Sequence, residues 1–124
     1  MITVNYRDSR PLYEQIKESV IKLIMTHALQ QDERLPSVRE LAVELAINPN
    51  TIQRAYRELE SEGYIYIAAG KGAFVAPVSA VNTDTEPLMK DFQQIAAKLI
   101  YGGVSADSLK AVLDQIAKEV NGDA

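Results

Sequence analysis

Apolar residues recur along this chain first at helical spacing, then at strand spacing, then at helical spacing again. Leu12, Ile16, Val20, Leu23 and Ile24 line one face of a predicted amphipathic helix over 11–28, with Pro11 at its first position, where a missing N–H costs nothing. His27 falls at the C-terminal end of that helix and reads as a terminal residue, not a ligand, because the chain has no second His and no Cys. The polar stretch Gln30 to Arg34 predicts a loop. A second helix, Ser37 to Leu45, buries Leu41, Ala42 and Leu45. Pro36 biases Leu35 to extended backbone, Ser37 can cap the orphan N–H groups, and Glu40 stands at the capping-box position.

Ala46 to Pro49 is a tight polar turn. A third helix, Asn50 to Glu62, hides Ile52, Ala55, Tyr56 and Leu59 on one face, with Asn48 or Asn50 as its cap and Gly63 closing it. Tyr64 to Ile67 and Ala73 to Val75 then read as the two strands of a hairpin around Gly70 and Gly72. Residues 78–86 are small and polar and predict a linker. Two more amphipathic helices follow within 87–121. One is lined by Leu88, Phe92, Ile95 and Leu99, the other by Leu109, Val112, Leu113 and Ile116. Gly102-Gly103 separates them, and Ser105 caps the second. The pattern predicts a mainly α chain with a small β-hairpin: a winged helix-turn-helix domain over 1–77, a linker over 78–86, and a two-helix dimerisation tail over 87–121.

Composition narrows the chemistry. At 124 residues with 47% apolar content, the chain has room for one domain, or for one small domain plus a helical appendage. The absence of Cys excludes disulfides and thiolate chemistry, and a lone His excludes a His-rich metal cluster. Paired catalytic carboxylates, a nucleophile elbow and a phosphate loop do not occur, so an enzyme and a bound cofactor are not expected. The first ten residues lack the apolar run of a signal peptide, and no stretch approaches the length of a membrane span, so the expected location is the cytoplasm.

The net charge of −4 runs against a nucleic-acid partner at first sight. Its distribution is uneven: residues 1–77 carry nine Lys/Arg against ten Asp/Glu, and residues 78–124 carry four against seven. Any affinity for DNA must come from a local patch. Helix-turn-helix geometry offers one, because the start of the second helix of the pair presents side chains to base edges in the major groove. Asn50, Gln53 and Arg54 stand there; Asn and Gln can pair with adenine, and Arg with guanine. Thr51 and the helix N–H groups could hold phosphate, Arg39 could reach the backbone or a groove edge, and Lys71 at the hairpin tip could approach the minor groove. Ser37 belongs to the same candidate DNA-contacting set, with Gly70 and Gly72 permitting close backbone approach. Arg57 reads instead as a partner for Glu58, Glu60 or Glu62, and Tyr56, Tyr64 and Tyr66 as packing residues.

These residues resemble the GntR family of bacterial transcriptional regulators, in its short YtrA-type branch. The match lies in Leu35-Pro36-Ser37-Val38-Arg39-Glu40-Leu41-Ala42, Asn48-Pro49-Asn50-Thr51-Ile52-Gln53-Arg54-Ala55-Tyr56, Leu59-Glu60-Ser61-Glu62-Gly63 and Gly70-Lys71-Gly72-Ala73-Phe74-Val75. The resemblance covers about residues 8–77 and implies DNA contacts at Arg39, at Asn50 and Thr51, at Gln53 and Arg54, and at the wing tip, Gly70 to Gly72. The chain departs from the pattern at Ala69, where relatives commonly have Arg, and at Ala73, where they have Thr or Ser. Lys71 is then the basic group expected at the wing. The small tail resembles the dimerisation element of the YtrA-type branch, and the branch implies a repressor of its own or an adjacent transporter operon.

The expectation is therefore a homodimer on a palindromic double-stranded DNA operator. A winged-helix protein-interaction module that does not bind DNA is the alternative. Each tail helix has an apolar stripe that a two-helix appendage cannot bury alone; it can pair with a second subunit or fold back on its own domain. A small-molecule effector could bind near the hinge, around Tyr64, Pro77 and Phe92.

Overall fold

A computed structural model describes residues 1–81 and 84–122. In order they form α1 (Leu12–Met25), α2 (Val38–Leu45), α3 (Pro49–Ser61), β1 (Ile65–Ala68), β2 (Gly72–Val75), a 3-10 turn (Val78–Ala80), α4 (Thr85–Tyr101) and α5 (Ala106–Asn121). The chain divides into two compact units, Met1–Asn82 and Thr83–Ala124. The interval 78–86 holds the 3-10 turn and runs into α4; residues 82 and 83 within it lie outside the described residues. No helix among the described residues is long and apolar enough to cross a membrane.

The caps explain most of the boundaries. Ser37 Oγ accepts from the Glu40 N–H at 3.0 Å while Glu40 Oε1 accepts from the Ser37 N–H at 3.3 Å, a complete capping box on α2. Hydrogen bonding from Ser37, its side chain first and its backbone N–H next, holds the Glu40 carboxyl below its ordinary pKa, with the charge of Arg34 adding to it. Asn48, not Asn50, caps α3: its Oδ1 accepts from the Asn50 N–H at 2.9 Å, and Pro49 takes the first helical position. Pro11 precedes α1 as its N-cap instead of occupying its first turn, and the helix stops at Met25. His27 lies beyond that end, with φ 62°.

The exits of α3 and α2 both use left-handed backbone. Gly63 (φ 85°) ends α3 with its N–H on the Glu60 carbonyl, and the Tyr64 N–H on the Leu59 carbonyl, both at 3.0 Å. A Cβ at Gly63 would run into the Ala80 carbonyl oxygen, so the position needs glycine twice over. Ala46 leaves α2 in the same conformation (φ 55°, ψ 45°), with the Ile47 N–H on the Ala42 carbonyl at 3.0 Å. Here the residue has a Cβ that left-handed backbone disfavours.

The core of the first unit forms where α1, α2 and α3 meet the hairpin. Ile16, Val20, Leu41, Ile52, Leu59, Ile65 and Val75 are removed from solvent almost completely. Tyr56 is buried among them and donates its hydroxyl to the Pro36 carbonyl at 2.6 Å, fixing α3 to the start of α2; burial pushes its pKa well above the usual value. The hairpin pairs Ile65 with Val75, Tyr66 with Phe74, Ile67 with Ala73 and Ala68 with Gly72, antiparallel.

The stretch expected as a free loop joins this hairpin. The Asp32 N–H bonds the Val75 carbonyl at 2.8 Å, the Val75 N–H bonds the Glu33 carbonyl at 3.0 Å, and the Leu35 N–H bonds the Ala73 carbonyl at 2.8 Å. Residues 32–35 thus cover the outer edge of β2. The first ten residues are also tied down. Ile2 enters the core, the Asn5 N–H bonds Gln15 Oε1 at 2.7 Å, and the Tyr6 hydroxyl bonds the Leu45 carbonyl at 2.7 Å. Gln15, buried on α1, completes its bonding by donating Nε2 to the Arg10 carbonyl at 3.0 Å.

The second unit is α4 and α5 joined by residues 102–105. Gly103 (φ 102°) and Val104 return N–H groups to Ile100 and Leu99, both at 3.0 Å, and Ser105 caps α5 by accepting from the Ser108 N–H at 3.1 Å. No described residue of either helix is buried. Leu88, Phe92, Ile95, Leu99, Val112, Leu113 and Ile116 are exposed, and Leu109 is half-buried.

Candidate nucleic-acid interface

One face of α3 points away from the core and is polar along its whole length. Asn50, Gln53, Arg54 and Arg57 follow at intervals of three, four and seven, so their side chains share one stripe; with Glu58 they line a single open depression. The stripe is forced by its opposite: Ile52, Ala55, Tyr56 and Leu59 occupy the buried face. Thr51 lies at the margin, half-buried on the first turn.

Ser37 and Arg39 begin α2. The Ser37 oxygen is engaged in the cap, and Arg39 is exposed. On the hairpin, Gly70 (φ 74°) and Lys71 form the tip, with the Lys71 N–H on the Ala68 carbonyl at 2.9 Å. Both are exposed, and Gly72 (φ 115°) is half-buried behind them. A second groove, lined by Val38, Gln53, Tyr56, Arg57, Glu60 and Ile67, separates α3 from the hairpin. At its edge the Ile67 N–H is held by Glu60 Oε2 at 3.2 Å.

Two arginines are placed differently from expectation. Arg57 was expected to pair with a neighbouring glutamate. Glu58 and Glu62 are instead taken by Lys17, at 3.0 and 2.6 Å, and Glu58 also by Arg54; among the described residues no carboxylate lies within ion-pair distance of Arg57. Its guanidinium belongs to the polar stripe. Arg34, assigned no role from sequence, lies against the wing. A Cβ at Gly72 would meet its Nε at 3.1 Å, and its Nη2 is 3.6 Å from Glu40. Lys71 is therefore not the sole basic group there. Only the pairing of 32–35 with β2 places Arg34, and no local pattern announces that pairing.

Arg54 is more constrained than its neighbours. Its guanidinium lies 3.7 Å from the centre of the Tyr13 ring, and its Nε donates to Glu58 Oε2 at 3.2 Å. Lys17 holds Glu58 from α1, and the two cations keep that carboxyl below its ordinary pKa, Lys17 most strongly. Burial works against the charge on Lys17, but Glu62 and Glu58 together raise its pKa.

Residues 12–75 match the family described as bacterial regulatory proteins, gntR family. The chain belongs to the GntR family. Its likeness to the HTH-type transcriptional repressor YtrA of Bacillus subtilis (strain 168) runs nearly end to end: 34% identity over 125 residues, 98% of this chain and 96% of that protein. Among solved structures, a transcriptional antiterminator from Listeria monocytogenes EGD-e superposes with a TM-score of 0.77 at 29% identity, covering 97% of this chain and 92% of that one. The DNA-binding domain of AraR, solved in complex with operator ORE1, superposes with a TM-score of 0.53 at 29% identity, over 61% of this chain and 93% of that one. The fold of this GntR-family chain is accordingly a winged helix-turn-helix, with α2 and α3 as the helix pair and β1–β2 as the wing.

Proposed function

We propose that this chain is a DNA-binding transcriptional repressor that reads a palindromic operator as a homodimer and controls its own or an adjacent transporter operon. The observation that carries the reading is the exposed stripe Asn50–Gln53–Arg54–Arg57 on α3, flanked by Arg39 on α2 and by Lys71 and Arg34 at the wing. Asn50, Gln53 and Arg57 supply the donor and acceptor pairs that distinguish bases in the major groove. Thr51, Ser37 and Arg39 face phosphates at the groove edge, and Gly70, Lys71 and Gly72 approach the adjacent minor groove. The wider acidity of the chain leaves this patch as the local source of attraction.

Dimerisation through the tail is part of the same proposal. It is supported by the exposed stripe Leu88, Phe92, Ile95 and Leu99 on α4 and by Val112, Leu113 and Ile116, exposed beside the half-buried Leu109, on α5. Two reading helices about 34 Å apart would then meet half-sites about one helical turn apart.

Fluorescence anisotropy with DNA from the chain's own promoter tests this. Binding should fall steeply as salt is raised. Arg39→Ala and Arg57→Ala should each weaken it about tenfold or more, at roughly 1–3 kcal/mol per lost contact, without lowering Tm. Binding that ignores salt and both substitutions would assign the chain to protein interaction instead.

A further inference from the structure

Within the proposed DNA reader, and resting on that reading, we propose that Arg54 is a positioning residue. It sets the rotation of α3 against α1, and base reading falls to Asn50, Gln53 and Arg57. The geometry of the guanidinium carries this. One face lies over the Tyr13 ring at 3.7 Å, and Nε is spent on Glu58 at 3.2 Å. Glu58 is in turn gripped by Lys17 at 3.0 Å, and Lys17 reaches Glu62 at 2.6 Å. Tyr13 and Lys17 stand on α1; Arg54 and Glu58 stand on α3, with Glu62 at its C-terminal cap.

The contacts Tyr13–Arg54–Glu58–Lys17–Glu62 form a continuous rim over the core residues Ile16, Val20, Ile52 and Leu59. Apolar packing between two helices leaves rotation about the helix axis weakly defined, because it is not directional. Directional contacts on both sides of the seam define it. A turn of α3 about its axis would swing Asn50, Gln53 and Arg57 together, since all three share the stripe with Arg54. Arg54 is also a poor phosphate anchor, because Glu58 neutralises its charge at close range. Arg57, one turn further on, carries no such restraint.

The test uses the full-length chain. Selection from a random DNA pool with the wild-type protein first yields an operator. Failure to select any motif would sink the DNA-reading proposal itself, before Arg54 is touched. Arg54→Gln, Tyr13→Leu, Glu58→Gln and Arg57→Gln are then titrated against that operator, against every single-base-pair variant of it, and against a shuffled sequence.

Positioning predicts that Arg54→Gln lowers the operator-to-shuffled affinity ratio by roughly tenfold, spread over several base pairs, with the salt dependence unchanged. Tyr13→Leu should do the same, the double variant should add little, and Arg54→Lys should recover part of the ratio. Arg57→Gln should flatten the preference at one base pair only. The proposal is overturned by three results. The first is a loss at Arg54→Gln confined to one base pair, which makes it a reader. The second is an equal loss on operator and shuffled DNA with the salt slope reduced by about 0.9, which makes it a phosphate contact. The third is a lowered Tm with the ratio intact, which leaves it merely structural.

Discussion

The two units of this chain treat their apolar residues in opposite ways. In the first, Ile52 and Leu59 are 0% exposed, sealed by three helices and a hairpin. In the second, Ile95 is 57% exposed and Phe92 45%, and no described residue of α4 or α5 is buried. Both units have helices of the same amphipathic design, with correct caps and sound turns. Capping and periodicity therefore make a helix but do not complete a core; completion depends on what the apolar face meets. The winged unit meets itself. The tail's two helices leave their apolar faces uncovered, which is why a second subunit belongs to the functional proposal.

The largest effect that sharpens this contrast is a core truncation. Leu59→Ala should destabilise the winged unit by about 2–5 kcal/mol at every protein concentration, as urea unfolding will measure. Ile95→Glu should leave that transition within about 0.5 kcal/mol and instead convert the proposed dimer to monomer in sedimentation. If Ile95→Glu unfolds the winged unit, the two units are not energetically separate.

A smaller effect is expected where the chain leaves α3. Gly63→Ala places a Cβ in left-handed backbone and against the Ala80 carbonyl, and should cost about 1–3 kcal/mol in the same assay. The opposite sign is expected at the exit of α2: Ala46→Gly relieves left-handed strain and should raise stability by about 0.5–1 kcal/mol, after the entropy of the added glycine in the unfolded chain is counted.

The smallest effect is a pH dependence. Glu58 has its folded pKa lowered below 4.5, chiefly by Lys17. Its contribution to stability is therefore complete above that value and is lost as pH falls through the lower folded value. Thermal melts from pH 6 down to about pH 3 should show a fall that is shallower in Glu58→Gln than in the wild type.

Much of the winged domain was legible in the sequence because its signals are local. The Ser37–Glu40 box, the Asn48-Pro49 start and Gly63 each act on backbone within a few residues of themselves. The periodicity of Ile52, Ala55, Tyr56 and Leu59 names the buried face and, by exclusion, the polar one. What escaped depends on distant residues. The pairing of 32–35 with β2 follows from the position of the hairpin, not from the polar composition of the loop. Arg57 could not be told from a surface ion-pair partner until Lys17, some forty residues earlier in the chain, took Glu58 and Glu62. Arg54 looked like the freer of the two for the same reason, since Tyr13 reaches it, and Lys17 reaches its partner Glu58, only through the α1–α3 packing.

The backbone of residues 32–35 has a mechanical consequence. It is bonded to β2 along its length and then runs through Pro36, which receives the Tyr56 hydroxyl, into the cap of α2. A load applied at Lys71 thus passes along one hydrogen-bonded strap to both helices of the pair. In the proposed DNA complex the wing tip and the start of α2 would be the two ends of this strap, so a groove contact at Lys71 and the placement of Arg39 would be coupled through it.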